Sequence, residues 1–298
     1  MVERPPFQPD ILHRPIGNRA VGMESWGESG MEHQLGVLGV GHLATAILQG
    51  AFEHGVLDPG SVVLADHASE RLERFASQGC RIAGSTSELH SASRILCAVR
   101  PQEFAAAAKE LGGLASDHLL ISVMAGIGSD AIRTALGGGC RVVRTMPNMG
   151  ALLHCSMTAV APGPGASKAD VEFVDRLFGA VGLVADVPEH LLSAATAVSG
   201  SGPGWVYLLA AAMVEAAESV GFESDLSHTM VRQTILAAAR TLETSDQSIE
   251  RLLAGIASKG GTTEAGLNVM REHGFVETVR AGVAAARDRG DELGKQVQ

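Results

Sequence analysis

Residues 35–52 read LGVLGVGHLATAILQGAF, and this stretch decides the fold class. Leu35-Gly-Val-Leu38 is a short apolar run suited to a buried strand. Gly39-Val40-Gly41-His42-Leu43-Ala44 follows at once, and an apolar helix is expected from Thr45 to Phe52. A G-x-G-x-x-A pattern between strand and helix has a physical reading. Gly39 permits the tight turn, Gly41 lets the backbone approach a pyrophosphate, and Ala44 lets the helix pack close. The first turn of the helix, around His42 and Leu43, offers unpaired N–H groups to phosphates.

The pattern alone is weak, but the next strand strengthens it. Val62-Val-Leu-Ala65 ends in Asp66, 22 residues after Ala44. That is about the spacing expected of an acid that receives ribose hydroxyls. Gly39, Val40, Gly41, His42, Leu43 and Asp66 therefore form a candidate dinucleotide site. A carboxylate at Asp66 repels a 2′-phosphate and favours NADH over NADPH. Arg71, one helical turn further on, pulls the other way.

Outward from this unit the alternation continues. Helices are expected over 70–78, 87–92, 102–111 and 130–136, with strands over 81–83, 94–99, 119–123 and 141–144. Strands alternating with helices mean a doubly wound parallel sheet. In such sheets ligands sit beyond the strand carboxyl ends. Ala98-Val99-Arg100-Pro101, Ser122 to Gly126 and Arg144 to Met149, including Asn148, fall there. Any one of them could be only a strand-to-loop turn.

After about Pro188 strand signals vanish and Ala-rich helices take over. Val198-Ser-Gly-Ser-Gly-Pro203 opens a helix, Trp205 to Val220, that is apolar almost all round. Such a helix needs burial that a small domain cannot supply, so a subunit interface is expected. Further helices are expected over 226–242, around 249–256, over 264–271 and over 275–293. Ser258-Lys259-Gly260-Gly261-Thr262-Thr263 enters one of them. Its helix N-terminus suits a carboxylate anion, and an ordinary capped turn reads equally well.

Composition bounds the rest. The 298 residues exceed one ordinary domain at roughly 150 residues each. A net charge of −10 argues against nucleic acid, which needs clustered Lys and Arg. Four cysteines without a C-x-x-C pair read as reduced cytosolic thiols, so a cytoplasmic protein without metal is expected. The longest uncharged apolar run, Trp205 to Val214, is half of what a bilayer requires. Residues 1–33 are rich in Pro and Gly and lack apolar periodicity. They read as a disordered tail, or as the product of an upstream start codon preceding the real one at Met23 or Met31, and not as a secretory signal. The expected division is 34–188 for the dinucleotide domain and 189–298 for the helical domain.

With these motifs in place, the chain resembles the pyrroline-5-carboxylate reductase family over roughly Leu35 to Gly294. The resemblance rests on Gly36-x-x-Gly-x-Gly41, Ala98-Val-Arg-Pro101, Met146-Pro-Asn148, Val198-Ser-Gly-Ser-Gly-Pro203 and Gly260-Gly-Thr-Thr263, in the family's order. It implies a Rossmann domain holding NADH or NADPH and an all-α domain that interlocks with its mate in a dimer. It implies reduction of a cyclic imino acid to proline. Thr263 would then meet the ring nitrogen of the substrate, and Ser258, Gly260, Gly261, Thr262 and Lys259 its carboxylate. Gly39 to Leu43, Asp66, Ala98 to Pro101 and Asn148 would hold the cofactor.

The chain departs from the family pattern at four places. Arg100 stands where Lys is usual, Met149-Gly150 where Thr-Pro is usual, Lys259 where Pro is usual, and Asp246 where Glu is frequent. A related imine of different ring size is the natural alternative substrate. A β-hydroxyacid dehydrogenase would need a lysine in its helical domain, and no lysine sits mid-helix beside a glycine pocket there. A non-catalytic dinucleotide-binding regulator would not need Ser258, Gly260, Gly261 and Thr263.

Overall fold

The computed structural model describes Leu12–His13 and residues 31–296. The rest of the expected tail lies outside the described residues. Its end, however, belongs to the fold. The amides of Glu32 and His33 both donate to the Ser91 carbonyl at 3.0 Å, and His33 is buried. Leu12–His13 (β1) also pairs, antiparallel, with a strand of the main sheet.

Eight further strands complete the sheet: β2 (Leu35–Leu38), β3 (Val62–Ala65), β4 (Arg81–Ile82), β5 (Arg94–Cys97), β6 (Leu119–Ser122), β7 (Arg141–Met146), β8 (Ser156–Pro162) and β9 (Gly182–Asp186). Their order is β1-β9-β8-β7-β6-β5-β2-β3-β4. The α/β alternation expected of a Rossmann sheet is present: α1 (His42–Glu53), α2 (Ser69–Ala76), α3 (Phe104–Leu111), α4 (Ser129–Ala135) and α5 (Lys168–Gly179) alternate with the strands. Pairings from β4 through β3, β2, β5 and β6 to β7 are all parallel. The β7–β8 pairing is antiparallel.

Two faces of the sheet are covered, which is why the central strands β2, β3 and β6 are buried along their whole length and do not alternate. Leu35, Val37, Val62 and Leu64 pack with Ile47, Leu48, Phe173 and Phe178 on one face. Leu38, Val63, Ile95 and Leu120 pack with Phe104, Leu111 and Ile132 on the other. The register aligns Leu38 with Ala65 on one side and with Cys97 on the other. Gly39, Asp66 and Ala98 therefore leave the same carboxyl edge side by side. The chain turns back between β2 and β5, and that switch point is where such sheets bind ligands.

The chain divides into two compact units, one ending at Gly200 and regaining the chain from Ala286, the other Ser201–Ala285. The sheet-bearing unit thus runs past Pro188 as far as Gly200. The physical reason is that residues 189–200, including α6 (Leu192–Ala195) and the π turn Thr196–Gly200, are tied to the sheet. Leu192 packs on Ala159 and Ala161 of β8, and the Glu189 carboxylate accepts from Arg144 of β7 at 3.0 Å. The last helix, α11 (Phe275–Gln296), rejoins this unit where Gly294 lies against Gly126. A Cβ on Gly294 would collide with the Gly126 carbonyl oxygen.

The second unit contains α7 (Gly202–Ser219), α8 (Ser224–Thr244), α9 (Ile249–Ile256) and α10 (Thr262–Glu272). No residue of α7 is buried in the protomer, and Tyr207 and Leu208 are 65% and 70% exposed. By length and composition the helical stretch Glu189–Ser219 is apolar enough to cross a membrane. It extends well beyond the run from Trp205 that the sequence singles out, because apolar residues precede that run as well.

Candidate functional site

The first glycine turn is built by steric necessity. Gly39 has φ +89, and a Cβ there would lie 3.1 Å from the Ala98 carbonyl and from Val99 Cγ1. Only glycine allows β2 and β5 to release their chains so close together. Gly41 is different: its backbone is extended (φ −78), and a Cβ on it would meet nothing within 4 Å. Gly41 is therefore not required by packing, and it fronts open space at the N-terminus of α1. No side chain caps that terminus, so its first N–H groups stay available to an anion.

Asp66 closes the turn from the neighbouring strand. Its Oδ2 accepts the Val40 N–H at 2.6 Å and its Oδ1 accepts the Ala68 N–H at 2.8 Å. The carboxylate is only 8% exposed, and the Arg71 guanidinium approaches it at 3.5 Å. The candidate ribose acid thus also anchors the glycine turn, a role that spacing alone does not reveal.

Beyond the turn lies an apolar cavity of about 270 Å³, lined by His42, Leu43, Met146, Pro147, Asn148, Met149, Ala151, Leu152 and Gly200. Its walls come from α1, the end of β7, the turn after it, and the π turn. Asn148 is the strut between them. Its Nδ2 donates to the Ser199 carbonyl at 3.1 Å, and its Oδ1 accepts the Gly150 N–H at 3.0 Å. The side-chain amide is therefore occupied in shaping the cavity. Met149 is 63% exposed at its rim.

Of the expected cofactor residues, Gly39, Val40, Gly41, His42, Leu43, Asp66, Ala98 and Val99 come together at one sheet edge, and Asn148 meets His42 and Leu43 in the cavity. Arg100 and Pro101 follow Val99 and start a 3-10 turn (Pro101–Glu103) in which Glu103 accepts the Arg100 N–H. Nothing in the arrangement requires a thiolate: burial pushes the Cys97 thiol up to about 12 and Cys80 up to about 11. Glycine at the turn, open space before it, a capless helix terminus and an apolar cavity fit a dinucleotide with a flat aromatic ring.

The second glycine turn lies in the other unit. Gly260 has φ +71. A Cβ on Gly261 would stand 2.9 Å from the Ser258 carbonyl oxygen, which is fixed backbone, so glycine is favoured there too. The Gly260 N–H donates to Glu264 at 2.7 Å, and the Gly261 N–H donates to the Ser258 carbonyl at 2.9 Å. Both glycine amides that the carboxylate reading relies on are thus engaged. The remaining donors are the amides of Thr262 and Thr263, which open α10, with the hydroxyls of Ser258, Thr262 and Thr263. Ser258, Lys259 and Thr262 are exposed in the protomer, and Thr263 is half-buried. Sequence reasoning missed Glu264 as a cap, although its place three residues after the N-cap Gly261 is a known capping signal.

The chain is similar to known proteins over most of its length. Residues 189–293 match the family model for pyrroline-5-carboxylate reductase dimerisation, and residues 34–126 match that for coenzyme F420-dependent NADP oxidoreductases. The pyrroline-5-carboxylate reductase of Methanosarcina acetivorans is 32% identical over 89% of this chain and all of its own length. The Pisum sativum enzyme is 32% identical over 88% of this chain and 96% of its own. The solved pyrroline-5-carboxylate reductase of Coxiella burnetii superposes with a TM-score of 0.80 at 28% identity, over 88% of this chain and 98% of that one. The Plasmodium falciparum enzyme, solved with NADP bound, gives 0.75 at 26% identity over 89% and 100%. With relatives 32% identical over nearly nine-tenths of the chain and a matching dimerisation domain, the chain belongs to the pyrroline-5-carboxylate reductase family.

Proposed function

We propose that this protein reduces the C=N bond of 1-pyrroline-5-carboxylate to give L-proline, with NADH or NADPH as the reductant. The observation that carries the reading is the capless, open glycine turn at Gly39 to Leu43, in a chain of this family whose helical unit also carries the Ser258 to Thr263 turn. Bound NAD(P)H supplies the hydride. The His42–Gly200 cavity receives the nicotinamide ring, excludes water from it and presents one face. Asn148 shapes that cavity, and Asp66 with Ala98 to Pro101 hold the remainder of the cofactor in place.

On the substrate side, the Thr263 hydroxyl oxygen accepts a hydrogen bond from the protonated ring nitrogen. The Thr262 amide, the Ser258 and Thr262 hydroxyls and Lys259 form the carboxylate end of the site, on a turn shaped by Gly260 and Gly261. A protonated imine is already electrophilic, so orientation supplies much of the catalysis and no lysine or histidine acid is obligatory. Met149 at the cavity rim and Lys259 beside the carboxylate turn favour a second substrate reading, an imino acid of another ring size.

The protein acts as a homo-oligomer built on a helical dimer, supported by the match to the dimerisation family and by the uncovered apolar surface of α7. A second copy covers that helix in preference to a bilayer. The stretch that contains it is held to the sheet at Glu189 and carries Glu215 and Glu218 near its end. Cytoplasmic placement is supported by four free thiols, three of them buried. The deciding experiment incubates purified protein with 1-pyrroline-5-carboxylate and ring-size analogues and follows oxidation of NADH and NADPH. Proline formation establishes the reading; no oxidation with any cyclic imino acid refutes it.

A further inference from the structure

Two imidazoles meet where α1 ends. His54 follows the last residue of α1, and His154 ends the 3-10 turn Met149–Leu153. Their ring centroids stand 5.8 Å apart, with the planes tilted by 45°. They are 100 positions apart in the chain, so no sequence spacing announces them. Glu53, the last residue of α1, places its Oε2 3.7 Å from His154 Nε2. All three side chains are exposed in the protomer.

The chemistry of this corner suits a divalent cation. His54 Nδ1 lies 2.9 Å from the Gly50 carbonyl oxygen, which can only accept. That bond places the proton on Nδ1 and leaves the lone pair of the neutral ring on Nε2, as a second hydrogen bond does for metal-binding histidines. Two imidazoles on one zinc ion, at about 2.0–2.1 Å per nitrogen, hold their centroids about 5–6 Å apart. The observed separation falls in that interval. Glu53 lies at the negative end of the α1 dipole, and the last turn of α1 holds no basic residue to balance it. The backbone is unusual at the same point. His154 has φ +55 and is the one non-glycine residue with positive φ among those described. Side chains rarely adopt that conformation, and the exceptions gather at functional sites.

Among the described residues no three His, Cys, Asp or Glu side chains already surround one point. The three groups here are exposed and neighbouring, so they can turn onto an ion about their own side-chain bonds. We propose that His54, His154 and Glu53 bind one divalent ion of the zinc class, in a site that closes as the ion arrives and is completed by water. Imidazole with carboxylate suits such ions, whereas Mg²⁺ and Ca²⁺ prefer oxygen alone. The ion would join the end of α1 to the turn that carries Met149, Ala151 and Leu152, three residues of the cavity wall. No atom of the imine reduction takes part.

The test is calorimetric titration of the full-length, tag-free and metal-free protein with ZnCl₂ and, separately, with MgCl₂. Zn²⁺ should bind and Mg²⁺ should bind at least about tenfold more weakly. His54→Gln and His154→Gln should each weaken Zn²⁺ binding by about tenfold or more, and Glu53→Gln by less. His273 ends α10 with a matching bond, Nδ1 to the Val269 carbonyl at 2.9 Å, so His273→Gln is the control and should change nothing. Zn²⁺ should also raise the melting temperature of wild type but not that of His54→Gln/His154→Gln, since the site exists only in the folded chain. In the unmutated protein, Zn²⁺ should shield His54 and His154, and not His273, from diethyl pyrocarbonate, read by peptide mass spectrometry. This arm does not depend on any variant folding. Absence of Zn²⁺ binding overturns the proposal, as does equal affinity for Mg²⁺. Binding that survives both histidine variants, or that falls as much in His273→Gln, overturns it too, because scattered surface histidines would behave so. Failure of Zn²⁺ to shield the two rings has the same force.

Discussion

The Arg144 guanidinium donates to Glu189 Oε1 at 3.0 Å, and the same oxygen accepts the Ser129 N–H at 2.8 Å. This junction ties the segment that carries Ser199 and Gly200 to β7, whose continuation forms the opposite wall of the cavity. Burial disfavours the charged form of Glu189, but the Ser129 amide and Arg144 outweigh it and hold the carboxyl below the usual glutamate range. A folded-state value below the unfolded one stabilises the fold above the ordinary glutamate pKa. That contribution is lost as pH falls through the folded value.

Glu189→Gln should therefore lower stability at neutral pH by about 1–2 kcal/mol, the cost of a charge-assisted bond reduced to a neutral one. The gap between wild type and variant should close as pH drops below about 4. Urea denaturation midpoints measured across this range check both statements. A gap that persists in acid would show that packing, not ionisation, sets the contribution.

Gly41→Ala separates site from fold. The backbone there is ordinary and the space before it empty, so stability should change by no more than about 0.5 kcal/mol. Dinucleotide affinity should fall by about tenfold or more, because the added methyl stands where the phosphate must approach. Gly39→Ala should instead lower the melting temperature as well, since φ +89 costs a side chain about 1–2 kcal/mol.

Thr263→Ala should lower kcat by about tenfold, corresponding to one lost hydrogen bond of about 1.4 kcal/mol, with dinucleotide affinity unchanged. Thr263→Ser should restore most of the rate. Parallel loss of rate and dinucleotide binding would mean that the residue only caps α10.

Leu208→Glu places a charge on a side chain 70% exposed in the isolated protomer. Sedimentation should show smaller assemblies for the variant than for wild type at the same concentration. Unchanged assembly would place the interface elsewhere on the helical unit.

Much of this architecture is legible from short-range rules. Strands β2, β3, β5 and β6 are apolar runs with both faces covered, and α1 follows a glycine turn that needs a positive φ at Gly39. Such features depend on local sterics and on the apolar content of a few neighbouring residues. The unread part, from β8 to β9 (156–186), depends on partners distant in sequence. Nothing local in Ser156–Pro162 states that it will run antiparallel to β7.

The sequence by itself determined the Rossmann unit, the helical half and the two glycine turns, because backbone sterics and apolar periodicity act within a dozen residues. Tertiary structure decided that residues 189–200 pack with the sheet and that Asp66 grips Val40. Those outcomes depend on which polar groups burial or turn geometry brings within hydrogen-bonding distance. Val40 and Asp66 are 26 positions apart in the chain and 2.6 Å apart in the fold.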